Sequence, residues 1–139
     1  VIMETFEVNV YAPMLFCKEA VKIMTRNSFG RIINMGSMAA KLEVKGEALY
    51  TSTKAALNSY TRVLSKETYE LGITANVIAP SAIKTDLSAQ IDQEALYKVL
   101  KQNAIPEYGK MEDVSSIIDT LIDEKNAAIT GQIIYLGGV

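Results

Sequence analysis

Thr74-Ala75-Asn76-Val77-Ile78-Ala79-Pro80 decides how this chain folds. The apolar residues in it run nearly continuously instead of alternating with polar ones. Such a run suits a strand covered on both faces, as in a parallel sheet. Pro80 ends it, because proline has no N–H to extend a ladder. Working upstream, Gly72 is a helix stop. Tyr50 to Leu71 reads as a long helix, with Ala55, Leu57, Val63 and Leu64 among its apolar residues. Lys41 to Glu47 reads as a loop. Arg31-Ile32-Ile33-Asn34-Met35 reads as a short strand closed by Gly36-Ser37. Ile2 to Thr25 carries Phe6, Val10, Met14, Cys17, Val21 and Met24 at helical spacing. Pro13 inside this run predicts a kink near Asn9, since a proline nitrogen cannot donate to the carbonyl four residues back. Downstream, Thr85 to Tyr108 predicts one or two short helices and Met111 to Glu124 another. Ala127 to Tyr135 is too short and polar-interrupted for a membrane span and reads as buried strand, with the strand itself placed at Thr130 to Leu136.

The order helix, strand, helix, strand, helices, strand predicts an α/β fold with parallel strands and right-handed helical crossovers. Three strands leave a sheet edge unpaired. The expected architecture is therefore the C-terminal half of a doubly wound, Rossmann-like sheet, with residues 1–139 forming a partial single domain. Ligands of such sheets bind beyond the carboxyl ends of the strands, where Ser37 and Pro80 fall.

Composition narrows the functions. The 139 residues are 49% hydrophobic and 22% charged, with a formal net charge of −2. Those are globular proportions, and no basic run points to nucleic acid. No apolar stretch is long enough to span a bilayer. One cysteine, Cys17, excludes an internal disulfide and a cysteine-based zinc cluster, and these features together predict a cytoplasmic protein. The chain has no histidine. That removes Ser-His and Cys-His mechanisms and histidine metal sites, so no metal is expected and proton transfer must use another side chain.

Tyr50-Thr51-Ser52-Thr53-Lys54 offers such a side chain. Residues four apart on a helix share a face, and an ammonium held one turn away favours the phenolate over the neutral phenol, whose ordinary pKa is about 10. The spacing alone decides nothing, because Tyr97 and Lys101 share it. Context separates the pairs. Tyr50 follows a strand end at Ser37 by thirteen residues and opens a helix rich in small residues. Tyr97 has Lys84 at the equivalent upstream position and no strand end before it.

With these stretches assembled, the chain resembles the short-chain dehydrogenase/reductase family, of the type that includes 3-oxoacyl-[acyl-carrier-protein] reductases. The resemblance rests on Asn9-Val10-Tyr11-Ala12-Pro13, Gly30 to Ser37, Tyr50 to Lys54, Ala75 to Pro80, Thr85-Asp86, Glu112-Asp113-Val114 and Ile129 to Gln132. It implies hydride transfer between NAD or NADP and a small-molecule carbonyl/alcohol substrate. Tyr50 would be the general acid/base and Ser37 would orient the reacting oxygen. Lys54 would lower the tyrosine pKa and hold the nicotinamide ribose. Asn9 would support a water relay to the lysine. Pro80, Ser81, Ile83 and Thr85 would grip the nicotinamide, through the Ile83 backbone and the Thr85 hydroxyl. The resemblance also implies a homo-oligomer, a dimer or tetramer packed through the helices containing Asn9 and Tyr50.

The chain departs from the family in having Ser81 where a glycine usually follows the proline, and Leu136 before the terminal glycine pair. It contains no glycine-rich phosphate loop, since Gly36, Gly46 and Gly72 are isolated. The expectation is a longer parent enzyme, with this chain alone inactive. A non-catalytic fragment, acting as an oligomer subunit or binding scaffold, is the competing reading.

Overall fold

The computed structural model describes all 139 residues. The regular elements follow in order: α1 (Ile2–Phe6), α2 (Ala12–Thr25), β1 (Gly30–Met35), α3 (Ala39–Leu42), α4 (Ala48–Thr68), β2 (Ile73–Ala79), α5 (Gln93–Leu100), α6 (Met111–Ile122) and β3 (Ile133–Tyr135), with a π-helical turn at Glu7–Tyr11 joining α1 to α2. The three strands form one parallel sheet in the order β1-β2-β3. The α/β class and parallel topology expected from the periodicities are thus present.

β2 is the centre of the sheet, and all seven of its residues are buried. Its two faces meet different partners, because side chains alternate along a strand. Ile73 and Ala75 join Cys17, Ile32 and Leu64 in a cluster that also takes Val21, Met24 and Tyr60, so α2 and α4 cover this face. Ile78 points the other way and packs with Val114 and Leu121 of α6, together with Ile33 and Ile134. A third cluster of Met38, Leu96 and Leu100 closes the end of the sheet where β1 and β2 finish.

Two buried asparagines bond across these layers. Asn34 Nδ2 donates to Thr61 Oγ1 at 2.9 Å, tying β1 to α4. Asn76 Nδ2 donates to the Ile129 carbonyl at 2.8 Å, and its Oδ1 accepts from the Gln132 N–H at 3.0 Å. One side chain therefore stitches β2 to the segment that leads into β3.

Several expectations need correction. The irregularity near Asn9 is a π-helical turn: the Ala12 N–H reaches back five residues to the Glu7 carbonyl. Pro13 sits in the first turn of α2, where its missing donor no longer interrupts the ladder. Residues Ala39–Leu42, expected within or beside a loop, form a short helical turn that ends on Glu43 at a φ of 52°. The last strand is shorter than Thr130 to Leu136, covering Ile133–Tyr135, and it is half-buried instead of buried. Its position at a sheet edge explains both differences, since one side lacks a neighbour. The region from Thr85 to Tyr108 contains a short 3₁₀ turn and α5, which Asp92 caps by accepting from the Glu94 N–H at 2.9 Å.

Two outcomes test this account. Gly72 sits at a φ of +75°, and a Cβ there would run into the Ser28 carbonyl oxygen. Gly72→Ala is therefore expected to cost at least about 1 kcal/mol in denaturant unfolding, from left-handed strain before any clash. Burial pushes the Tyr60 phenol up to about 12, with neighbouring Cys17 and Glu67 adding to the shift. The unfolded chain releases that proton near pH 10. The folded state therefore holds the proton longer, and the stability this gives below about pH 10 is lost as pH rises through about 12. Urea unfolding of Tyr60→Phe should show a shallower decline across that window; an identical decline would remove Tyr60 as its source.

Candidate active site

A parallel sheet places the ends of its strands at one side of the molecule, and here that side opens into a cavity of about 550 Å³. Residues from several segments line it: Gly36 to Ala39 after β1, the loop around Val44 and Glu47, Tyr50 at the start of α4, Pro80 to Ile83 with Thr85 after β2, and the stretch from Leu87 into α5. Ser37, Tyr50, Pro80, Ser81, Ile83 and Thr85, far apart in the chain, therefore share one space. Lys54 and Asn9 do not line it.

Ser37 is held by an extension of the ladder beyond β1. The Gly36 N–H donates to the Ile78 carbonyl at 2.7 Å, and the Met38 N–H donates to the Pro80 carbonyl at 3.1 Å. A side chain at Gly36 would meet Val77 Cγ1 at 2.6 Å, so the chain passes this point only without a Cβ. Ser37 Oγ accepts from the Ala39 N–H at 3.1 Å. That bond orients the hydroxyl and leaves its own hydrogen free to donate.

Tyr50 lies in the first turn of α4 and is 39% exposed. Lys54, one turn later, places its ammonium 5.7 Å from the centre of the Tyr50 ring. The same ammonium donates to the Met35 carbonyl at 3.0 Å, at the end of β1. Burial lowers the Lys54 pKa from its ordinary value. Its neighbour Thr53 is fully buried. Asn9 Nδ2 donates to Thr53 Oγ1 at 3.1 Å, so Asn9 meets α4 at the residue beside Lys54.

The loop after β2 is braced within the protein. Ser81 is 6% exposed, and its Oγ accepts from Asn103 Nδ2 at 2.8 Å. Ile83 pairs with Gly109 as an isolated parallel bridge. Thr85 and Ser88 exchange bonds: the Thr85 N–H donates to Ser88 Oγ at 2.8 Å and the Ser88 N–H donates to Thr85 Oγ1 at 3.2 Å.

The sequence did not point to Asn103 as the partner of Ser81, although the departure from glycine at 81 marked the place. It also held no sign of the apolar wall formed by Met38, Leu96 and Val99, which only the folded chain assembles. The Tyr97 pair, set aside on context, lies outside the cavity lining: Tyr97 is 54% exposed on α5, with the Lys101 ammonium 4.7 Å from its ring centre.

Comparison with known proteins bears on the fold and the family. A family model described as enoyl-(acyl carrier protein) reductase matches residues 2–138. The chain is 33% identical over 135 residues to the 3-oxoacyl-[acyl-carrier-protein] reductase FabG of Rickettsia felis, covering 97% of this chain and 56% of that protein. It is 32% identical to a short-chain type dehydrogenase/reductase of Picea abies, covering 96% of this chain and 49% of the relative. The chain thus spans about half the length of the curated relatives it matches. The crystal structure of the TT0495 protein from Thermus thermophilus superposes with a TM-score of 0.85 at 21% identity, over 96% of this chain and 58% of that one, a likeness that concerns the fold. The chain belongs to the short-chain dehydrogenase/reductase family, a family of NAD(P)-dependent oxidoreductases.

Proposed function

We propose that the protein of which these residues form the catalytic half transfers a hydride between NAD or NADP and a carbonyl/alcohol substrate. One observation carries this reading: Ser37, Tyr50 and the Pro80 to Thr85 loop line a single cavity at the ends of β1 and β2. Tyr50 is assigned the proton. Its hydroxyl protonates the carbonyl oxygen in reduction and takes the alcohol proton in oxidation. Ser37, with its hydrogen free, donates to the same oxygen and fixes its direction. The Lys54 ammonium stabilises negative charge as it develops on the Tyr50 oxygen. Because it is anchored on the Met35 carbonyl instead of on a carboxylate, its positive charge is not neutralised locally. Asn9 holds α4 through Thr53 beside this lysine, which suits a supporting role in a water relay.

The residues present fit the nicotinamide end of a dinucleotide. The loop after β2 faces the cavity through Pro80, Ile83 and Thr85, and the Thr85 hydroxyl keeps its own hydrogen for a ligand acceptor. Ser81 does not obstruct the space, since its side chain is buried against Asn103. A nicotinamide bound there supplies or accepts the hydride. The phosphate-binding half lies outside these residues, and the outer edge of β1, which has no strand beside it, is where it would pair. A homo-oligomer belongs to the same reading, supported by Val8, Tyr11 and Phe16 left exposed on the first helices. A cytoplasmic location fits the lone cysteine, which is buried and unpaired.

The protein carrying both halves should turn over ketones with NADPH or NADH. Tyr50→Phe should lower kcat/KM by about 10²- to 10⁴-fold. Turnover unaffected by Tyr50→Phe, or absent in a protein that binds the cofactor, would favour a scaffold role. At the neighbouring loop, Ser81→Gly leaves the buried Asn103 amide with only the weak Met38 Sδ acceptor at 3.6 Å. It should cost about 1–3 kcal/mol in denaturant unfolding; an unchanged midpoint would show that the bond does not brace the loop.

A further inference from the structure

Asn103 follows α5 and touches two loops at once. Its Nδ2 donates to Ser81 Oγ at 2.8 Å and, weakly, to Met38 Sδ at 3.6 Å. Ser81 follows Pro80, in the loop assigned to the nicotinamide. Met38 follows Ser37, whose hydroxyl is assigned to the reacting oxygen. The two loops also meet at a backbone bond, from the Met38 N–H to the Pro80 carbonyl at 3.1 Å. A single bond fixes a separation but little of the orientation. The Asn103 amide adds contacts on the side chains beside that bond, and several points of contact fix both.

Asn103 is itself held in place. Its N–H donates to the Leu100 carbonyl at 3.0 Å, and the next two N–H groups, of Ala104 and Ile105, donate to the Gly138 and Gly137 carbonyls at 2.8 and 2.9 Å. That approach is close enough to require the glycine pair. A Cβ at Gly137 would stand 3.2 Å from Ser81 Cβ, and one at Gly138 would stand 2.7 Å from Ala104 Cβ. Met38, Ser81 and Asn103 are each only 6% exposed. The clamp is thus complete within these residues and needs nothing from the other half of the protein.

It carries a cost. Asn103 Oδ1 is buried and has no partner. A buried acceptor left unmet weakens a fold, and an apolar side chain of similar size would fill the space without that loss. Stability alone gives no reason for an amide at this position, whereas the placing of two loops does.

We infer that Asn103 is a positioning residue for hydride transfer: backed by Gly137 and Gly138, its amide sets the nicotinamide loop, through Ser81, against the loop that carries Ser37, through Met38. The inference rests on the reading that these loops serve one reaction. Hydride donor and acceptor must come within about 3–3.5 Å, so a small error between the loops slows transfer steeply.

The double variant Ser81→Ala with Asn103→Val removes both bonding partners together, which is nearly neutral for stability when apolar groups take their places. In the protein carrying both halves it should keep its unfolding midpoint and hold its KM for a ketone within about threefold, while kcat falls on the order of 10- to 100-fold. A kcat within about twofold of the parent, a loss confined to KM, or a kcat lost only in step with the folded fraction would overturn the inference and leave the oxidoreductase reading intact. Ser81→Ala alone, which removes one oxygen, should show the same fall in kcat and decides the matter if the double variant does not fold. A parent that turns over no carbonyl compound sinks the oxidoreductase reading, and amide exchange then judges the clamp by itself. The Met38 N–H should exchange about tenfold faster in the double variant while that of Val77 in β2 is unchanged; an unaltered rate at Met38 would overturn it.

Discussion

The burial of β2 on both faces is the constraint from which the rest of the structure follows. A strand with no solvent side must be flanked by helices above and below, and it must sit between two other strands. Parallel pairing then requires each connection to return to the opposite end of the sheet. α4 carries the chain from the end of β1 back to the start of β2, and α6 precedes β3 on the other face. The residues after β1, the first turn of α4 and the loop after β2 consequently fall at one end. The cavity is a product of this topology before it is a product of any particular side chain.

Within that end, environment separates two chemically identical pairs. Tyr50 with Lys54 and Tyr97 with Lys101 have the same spacing, and the second ammonium is closer to its ring, at 4.7 Å against 5.7 Å. Proximity is therefore not what distinguishes them. Lys54 is drawn away from the ring by a backbone carbonyl at a strand end, and it is partly withdrawn from water. A charge in that setting acts more strongly on neighbouring groups than one screened by solvent. Lys101 is on the surface, where a similar arrangement does little.

Periodicity made the architecture readable before any coordinates. The near-continuous apolar run at Ala75 to Ala79 and the helical spacing around Leu57 and Leu64 are properties of local sequence, and each survives in the fold. What escaped the sequence depends on partners distant in the chain. The half-burial of Ile133–Tyr135 follows from its place at an edge, which no residue in the strand records. The direction of Asn9 follows from where Thr53 lies across the helix interface. The bond from Asn103 to Ser81 joins a segment after α5 to a strand end. Ser37 and Tyr50 were readable as a pair because the strand end and helix start that hold them could be recognised separately.

The register of the sheet also bears on how the chain acquires its structure. The partners of β1 in β2 lie about forty residues further along, so during synthesis at about 5–20 residues per second β1 waits some seconds for β2. Through that interval Ile32 and Ile33 cannot settle against β2. α2 and α4 are made before β2 is complete, so the helices that will cover Ile32 are available to shelter it before β2 is. The order of elements along the chain thus gives β1 a temporary cover on the same face that later becomes its permanent one.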